Sequence, residues 1–232
     1  MSVSTGGVTA SGSPSAEAMI AEARKAFWVM VGFLAVLWIL QIFNAIDNYG
    51  ITDQHGIIAR DVGSLPSILT APFLHVSWAH IEGNSGPLFI FGFLAAYRGV
   101  KKFFGVSVLI IIVSGIGAWL ISPAGSDTVG ASGVIFGYLG YVLVRGIFDR
   151  HRIDIVIGLV MALCFAYQFA DLLPQNNGVS WQAHVFGFAA GIVGGWFFRE
   201  RRPKKAKEVA GPAATPPLFD PTTTLLDKPK QL

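Results

Sequence analysis

Residues 130–148 read GASGVIFGYLGYVLVRGIF. No charge interrupts the run before Arg145, and its 19 residues are close to the ~20 that an α-helix needs to cross a bilayer core. Gly133, Gly137 and Gly140 give the helix small surfaces on which another backbone can approach. The run opens on Gly130-Ala131-Ser132-Gly133, a hydroxyl at a helix start in an otherwise apolar stretch.

Outward from it lie five more apolar stretches, at 26–46, 79–97, 103–121, 153–171 and 181–198. Together they predict an all-α membrane protein with six transmembrane helices. Composition agrees: 53% of the 232 residues are hydrophobic and only 13% charged, against about one-quarter charged in soluble domains. The second stretch opens on His80, Glu82, Gly83, Asn84 and Pro87 and ends apolar, which points to a wet cavity near one membrane face.

Basic residues set the orientation. Arg24 and Lys25 precede the first stretch, and Arg98, Lys101 and Lys102 follow the second. Arg145, Arg150 and Arg152 separate the fourth and fifth, and Arg199, Arg201, Arg202, Lys204 and Lys205 close the sixth. The segments 122–130 and 172–180 carry no Lys or Arg. Both termini are therefore expected in the cytoplasm. The formal net charge of +3 sits at helix ends and in the tail, so it is no nucleic-acid signature. Residues 1–25 read as a flexible cytoplasmic leader, 26–200 as the membrane domain, and 201–232 as a basic, then Pro/Thr-rich cytoplasmic tail. The first apolar run is long enough to span, unlike a cleaved secretory signal. The single cysteine, Cys164, is assigned to packing. The long segment 47–78 is polar and apolar by turns and is expected in the membrane interface.

A Gly-x-Ser-Gly alone is a weak sign of chemistry, because small residues serve helix packing. An ionisable His184 inside the sixth stretch adds weight. Depth adds more. At 1.5 Å per residue, Asn84 lies roughly 21 Å above Arg98, Ser132 roughly 20 Å above Arg145 and His184 roughly 22 Å above Arg199. Three polar residues on three helices thus share one layer in the outer half of the bilayer. His184, Gly187, Gly191 and Gly195 lie on one helix side, so the sixth helix can approach another closely. Ser132 and His184 then make a plausible nucleophile and general base. No acidic residue within the stretches is placed as a third member, which leaves a dyad with its imidazole oriented by packing. Free N–H groups at the helix start, the Asn84 amide and the His80 imidazole are candidate oxyanion donors.

These residues resemble the rhomboid protease family. The family pairs Gly-x-Ser-Gly at the start of the fourth core helix with Ala-His-x-x-Gly-x-x-x-Gly in the sixth, matched by Gly130 to Gly133 and by Ala183, His184, Gly187 and Gly191. Its second helix carries His-x-x-x-Asn, matched by His80 and Asn84. The stretch from Thr70 to His75 is also similar, and the likeness covers about 28–198. It implies a rhomboid-like bundle and an intramembrane serine endopeptidase acting without metal or cofactor. Ser132 would be the nucleophile, His184 the base, and the Ser132 amide, Asn84 and His80 the oxyanion hole. Phe136 stands where the family often has a Tyr that packs on the catalytic His, and the outer loop lacks a Trp-Arg pair found in many members.

The expected partners are the lipid bilayer and transmembrane protein substrates, which would approach beside the fifth helix and unwind locally. Residues 172–180 would cap a water-filled indentation open to the extracytoplasmic side of a bacterial cell membrane. Competing readings are a metalloprotease built on His75, His80 and His184, an inactive client-binding relative, and a small transporter. The first lacks His-Glu-x-x-His, and histidines at i and i+5 diverge by about 140° on a helix.

Overall fold

A computed structural model describes residues 16–175 and 178–200. Among them are seven α-helices: α1 (Ala16–Ile46), α2 (Gly50–His55), α3 (Trp78–Ala96), α4 (Val100–Ile121), α5 (Ser132–Asp149), α6 (Arg152–Cys164) and α7 (Trp181–Phe197). A two-stranded antiparallel ribbon joins β1 (Ile57–Ile58) to β2 (Asp127–Thr128). Five of the six expected apolar stretches fall on single helices, α1, α3, α4, α5 and α7, and the fifth stretch is divided between α6 and a 3-10 helix. Three of them, α1, α4 and α5, are long and apolar enough to cross a membrane alone. A fourth candidate is α6 together with the 3-10 helix Ala166–Leu172, bent against it by 72°.

Helix ends follow local chemistry. Ser77 caps α3 by accepting from the His80 N–H at 3.1 Å, and Ser180 caps α7 by accepting from Ala183 N–H at 3.4 Å. Arg150 ends α5 in a left-handed conformation. In α3, Pro87 has no N–H for the Gly83 carbonyl, and both residues line the cavity described below. α1 starts at Ala16, ten residues before the expected span, so the helix takes in part of the expected leader. The rest of that leader and the tail from Arg201 lie outside the described residues.

α5 is the enclosed element, with α3, α4, α6 and α7 around it. Its tightest partner is α7. A Cβ on Gly187 would overlap the Gly133 carbonyl, and one on Gly191 the Gly137 carbonyl. The two backbones therefore touch, and dispersion between closely fitted surfaces does what hydrophobicity cannot do between helices in lipid.

The fifth stretch differs from the single straight span expected. The chain turns at Phe165, whose ring meets Phe91 edge-on with centroids 4.7 Å apart, and continues as the tighter 3-10 helix. The segment 47–77 is folded down onto the bundle. The Asn44 side chain donates to Thr52 Oγ1 at 2.6 Å and to the His75 carbonyl at 3.0 Å, and accepts from the Thr52 N–H at 3.1 Å.

Arg145 also departs from its reading as a connecting-loop charge. It is in α5, 1% exposed, and bonded to Asp154 of α6 at 3.2 Å; Asp154 itself is 2% exposed. Tyr97 and Arg98 converge on the same carboxylate, and Arg145 also reaches the Leu94 carbonyl. One buried carboxylate thus joins the ends of α3, α5 and α6, where a cation and hydrogen bonds offset its desolvation.

Ala at Gly191 should lower stability by about 1–3 kcal/mol, because only backbone lies in the way. Ala at Gly32, which meets nothing within 4 Å, should leave stability unchanged or slightly raised. Unfolding in detergent titrations separates the two.

Candidate active site

The loop 122–130 enters the bundle beside the first turn of α5. β2 holds it to β1, and the Gly130 N–H donates to the Ala71 carbonyl at 2.9 Å. Gly130 then turns with φ 111°, a conformation open to glycine and strained for other residues. A Cβ there would lie 2.6 Å from the His80 ring and 3.6 Å from Asn84 Nδ2. So His80 and Asn84 of α3 flank the turn that delivers Ser132. No side chain caps α5, and its first N–H groups keep their positive end of the dipole.

Ser132 Oγ lies 2.9 Å from His184 Nε2, and His184 Nδ1 lies 2.9 Å from the Asp171 carbonyl. A carbonyl only accepts, so Nδ1 carries the proton and Nε2 is free to accept from the Ser132 hydroxyl. Phe136, one turn along α5, stacks on the imidazole with centroids 4.3 Å apart and planes 24° from parallel. His184 is 2% exposed. The ring is held at its face and at both nitrogens. A hydroxyl and a neutral imidazole in this arrangement can form an alkoxide-like nucleophile and return the proton to a leaving group.

These residues line a cavity of about 460 Å³ that also meets Gly83, Asp171 and Ser180. The volume is many times the ~30 Å³ share of one liquid water. Asn84 lines the same cavity, and its Nδ2 is buried with no partner among the described residues. Residues 178–180 belong to the cavity wall; Asn176 and Asn177 of the expected cap lie outside the described residues.

Of the site residues expected from sequence, His80, Asn84, Gly130, Ser132, Gly133, Phe136 and His184 line this cavity, while Gly187 and Gly191 lie along the contact of α7 with α5. Gly133 lets α7 and Ser114 close in, since a Cβ there would strike Ser114 Oγ, which donates to the Ala183 carbonyl at 2.8 Å. His75 does not join His80 and His184 as a third ligand. It is fully buried, and its Nε2 faces the Ala131 N–H at 3.5 Å, with the His80 ring edge-on at 4.8 Å between centroids. The Asp171 carbonyl was not legible from sequence, because a backbone acceptor leaves no residue-type signal. Orientation of the imidazole comes from that carbonyl as well as from packing.

A rhomboid domain is recognised over residues 62–201, more than half of the chain. The chain belongs to the rhomboid family. Two relatives are uncharacterized proteins of Mycobacterium tuberculosis and Mycobacterium leprae. The first is 34% identical over 210 residues, 84% of this chain and 87% of that protein; the second is 32% identical over 200 residues, 80% and 79%. The rhomboid protease GlpG of Haemophilus influenzae is 28% identical over 138 residues, 57% of this chain and 68% of its own. Family and apolar helices together make this a membrane protein.

Burial, and next the neighbouring His80, lower the His75 pKa from 6.5 to about 3. Below about pH 6.5 the unfolded chain binds a proton that the folded one refuses until about pH 3. The stability His75 contributes is therefore whole above pH 6.5 and lost as pH falls. Melting temperatures should decline between pH 7 and 4.5, and His75→Asn, less stable at pH 7, should decline less steeply.

Proposed function

We propose that this rhomboid-family protein is an intramembrane serine endopeptidase, cutting peptide bonds in or near the transmembrane helices of other membrane proteins. One observation carries the reading: the Ser132 hydroxyl meets a buried imidazole whose far nitrogen donates to the Asp171 carbonyl. That tautomer is the one a general base needs.

Ser132 Oγ attacks the peptide carbonyl while His184 Nε2 takes its proton. The oxygen of the tetrahedral intermediate is stabilised by the Ser132 amide, Asn84 and His80. The unpartnered, buried Nδ2 of Asn84 suits this role, since a donor with no ground-state partner needs no reorganisation. His184 then protonates the leaving amine. Water from the cavity attacks the acyl-enzyme and gives a proton to His184, which passes it to Ser132 Oγ as the ester bond breaks and the acid leaves. Phe136 keeps the imidazole in plane, Gly130 turns the chain into Ser132, and Gly133, Gly187 and Gly191 set the approach of α5 and α7.

In this reading the six spans are α1, α3, α4, α5, α6 with its 3-10 continuation, and α7. The basic residues at the helix ends away from the site support a cytoplasmic side for both termini. The cavity then opens to the extracytoplasmic side of the cell membrane, which supplies water to a reaction below the membrane surface. A substrate helix must unwind there, because a hydrogen-bonded helix keeps its carbonyls from an attacking hydroxyl. Substrates with Gly or Pro near the cut are therefore preferred.

In liposomes, wild type should cleave a reporter transmembrane substrate, and Ser132→Ala and His184→Ala should each lose at least about 1,000-fold in kcat/KM. Chelators should change nothing. Phe136→Ala should lose about twofold to tenfold, with Phe136→Tyr close to wild type. Cleavage persisting in the Ser132→Ala protein would overturn the assignment.

A further inference from the structure

Among the described residues, buried side-chain atoms with no hydrogen-bond partner belong to Gln41, His75, Asn84, Ser122, Arg145 and Gln168. Only two of these residues line the cavity that holds Ser132 and His184: Asn84 and Gln168. Their orphan atoms are complementary. Asn84 offers a donor, Nδ2, and Gln168 an acceptor, Oε1.

Gln168 is 7% exposed and sits in the 3-10 helix Ala166–Leu172. Such a helix has about three residues per turn, so Gln168 and Asp171 lie on the same side of it. Both line the cavity, and Asp171 is the residue whose carbonyl fixes His184. The amide oxygen of Gln168 is thus carried by the segment that sets the position of the base. A buried acceptor without a partner is destabilising, and it persists where a partner arrives later.

A peptide opened from its helix brings such partners. It loses its intrahelical bonds and presents alternating carbonyls and N–H groups to the cavity. The carbonyl under attack uses the Asn84 side. We infer that Gln168 Oε1 accepts a hydrogen bond from one backbone N–H of the substrate flanking the cleaved bond, which fixes the register of the chain on Ser132. This rests on the endopeptidase reading above. It also names a specificity: proline, which has no N–H, is excluded from that one substrate position and tolerated at others nearby.

The test uses the full chain in liposomes and a synthetic transmembrane peptide whose amides on either side of the cut, the cleaved one excepted, are replaced singly by esters. Turnover of the all-amide peptide by wild type and not by Ser132→Ala establishes hydrolysis independently of Gln168. In wild type, one ester should lower kcat/KM by about fivefold to tenfold. Gln168→Met should show the same loss with the all-amide peptide and no further loss with that ester, and Gln168→Glu, which keeps an acceptor, should remain sensitive to it. Gln168→Leu gives the same comparison where the Met variant melts lower. Ester and Met penalties that multiply at every position, or a wild type indifferent to every ester, would overturn the assignment.

Discussion

The backbones of α5 and α7 touch where Gly187 meets the Gly133 carbonyl and again where Gly191 meets that of Gly137, and the separation of Ser132 from His184 follows from that contact. Neither side chain is long. A serine hydroxyl reaches an imidazole on another helix only if the helix axes come closer than Leu or Val at the interface would allow. The seam of glycines therefore comes first, and the 2.9 Å hydrogen bond is its consequence. Elements outside the seam add orientation. The 3-10 segment after α6 supplies the Asp171 carbonyl, Phe136 supplies a stacking face, and Gly130, packed against His80 and Asn84, turns the chain into Ser132 at the start of α5.

Polarity is distributed to suit a bilayer. At one end of the bundle a cavity gathers Ser132, His184, His80 and Asn84. At the ends of α3, α5 and α6, Asp154 accepts from Tyr97, Arg98 and Arg145. Charges at such a place are tolerated only when paired, and this group fixes the start of α6. The 3-10 continuation at the other end of α6 carries Gln168 and Asp171 to the cavity. Its position is set by the turn at Phe165 and by the bond between the Asp171 carbonyl and His184.

Much of this was legible in the sequence, and for physical reasons. Apolar runs near bilayer length mark the helices, and spacing of three, seven and eleven residues from His184 marks one face of α7. Counting along three helices was enough to gather Asn84, Ser132 and His184, because helical rise is nearly constant. The remainder depended on features without a residue-type signal. The Asp171 acceptor is backbone. The turn at Phe165 has no proline or glycine to announce it. Arg145 looked like a loop charge because its partner, Asp154, lies across a helix boundary, and a pair of opposite charges nine residues apart has no helical period to reveal it. Gln168 stood in an apolar stretch as one polar residue among many neighbours, and only the combination of a buried, unpartnered oxygen with a place among the cavity-lining residues singles it out.

The central claim is that Ser132 is made nucleophilic by His184. The direct measurement is the rate at which a small fluorophosphonate phosphonylates this chain in lipid nanodiscs, an O–P bond forming as fluoride leaves, followed by intact mass and by mapping of the modified peptide. The account predicts a single adduct on Ser132 that His184→Ala slows by at least about 100-fold. Labelling of Ser132 at the same rate with and without the imidazole, or an adduct on another residue, would contradict it.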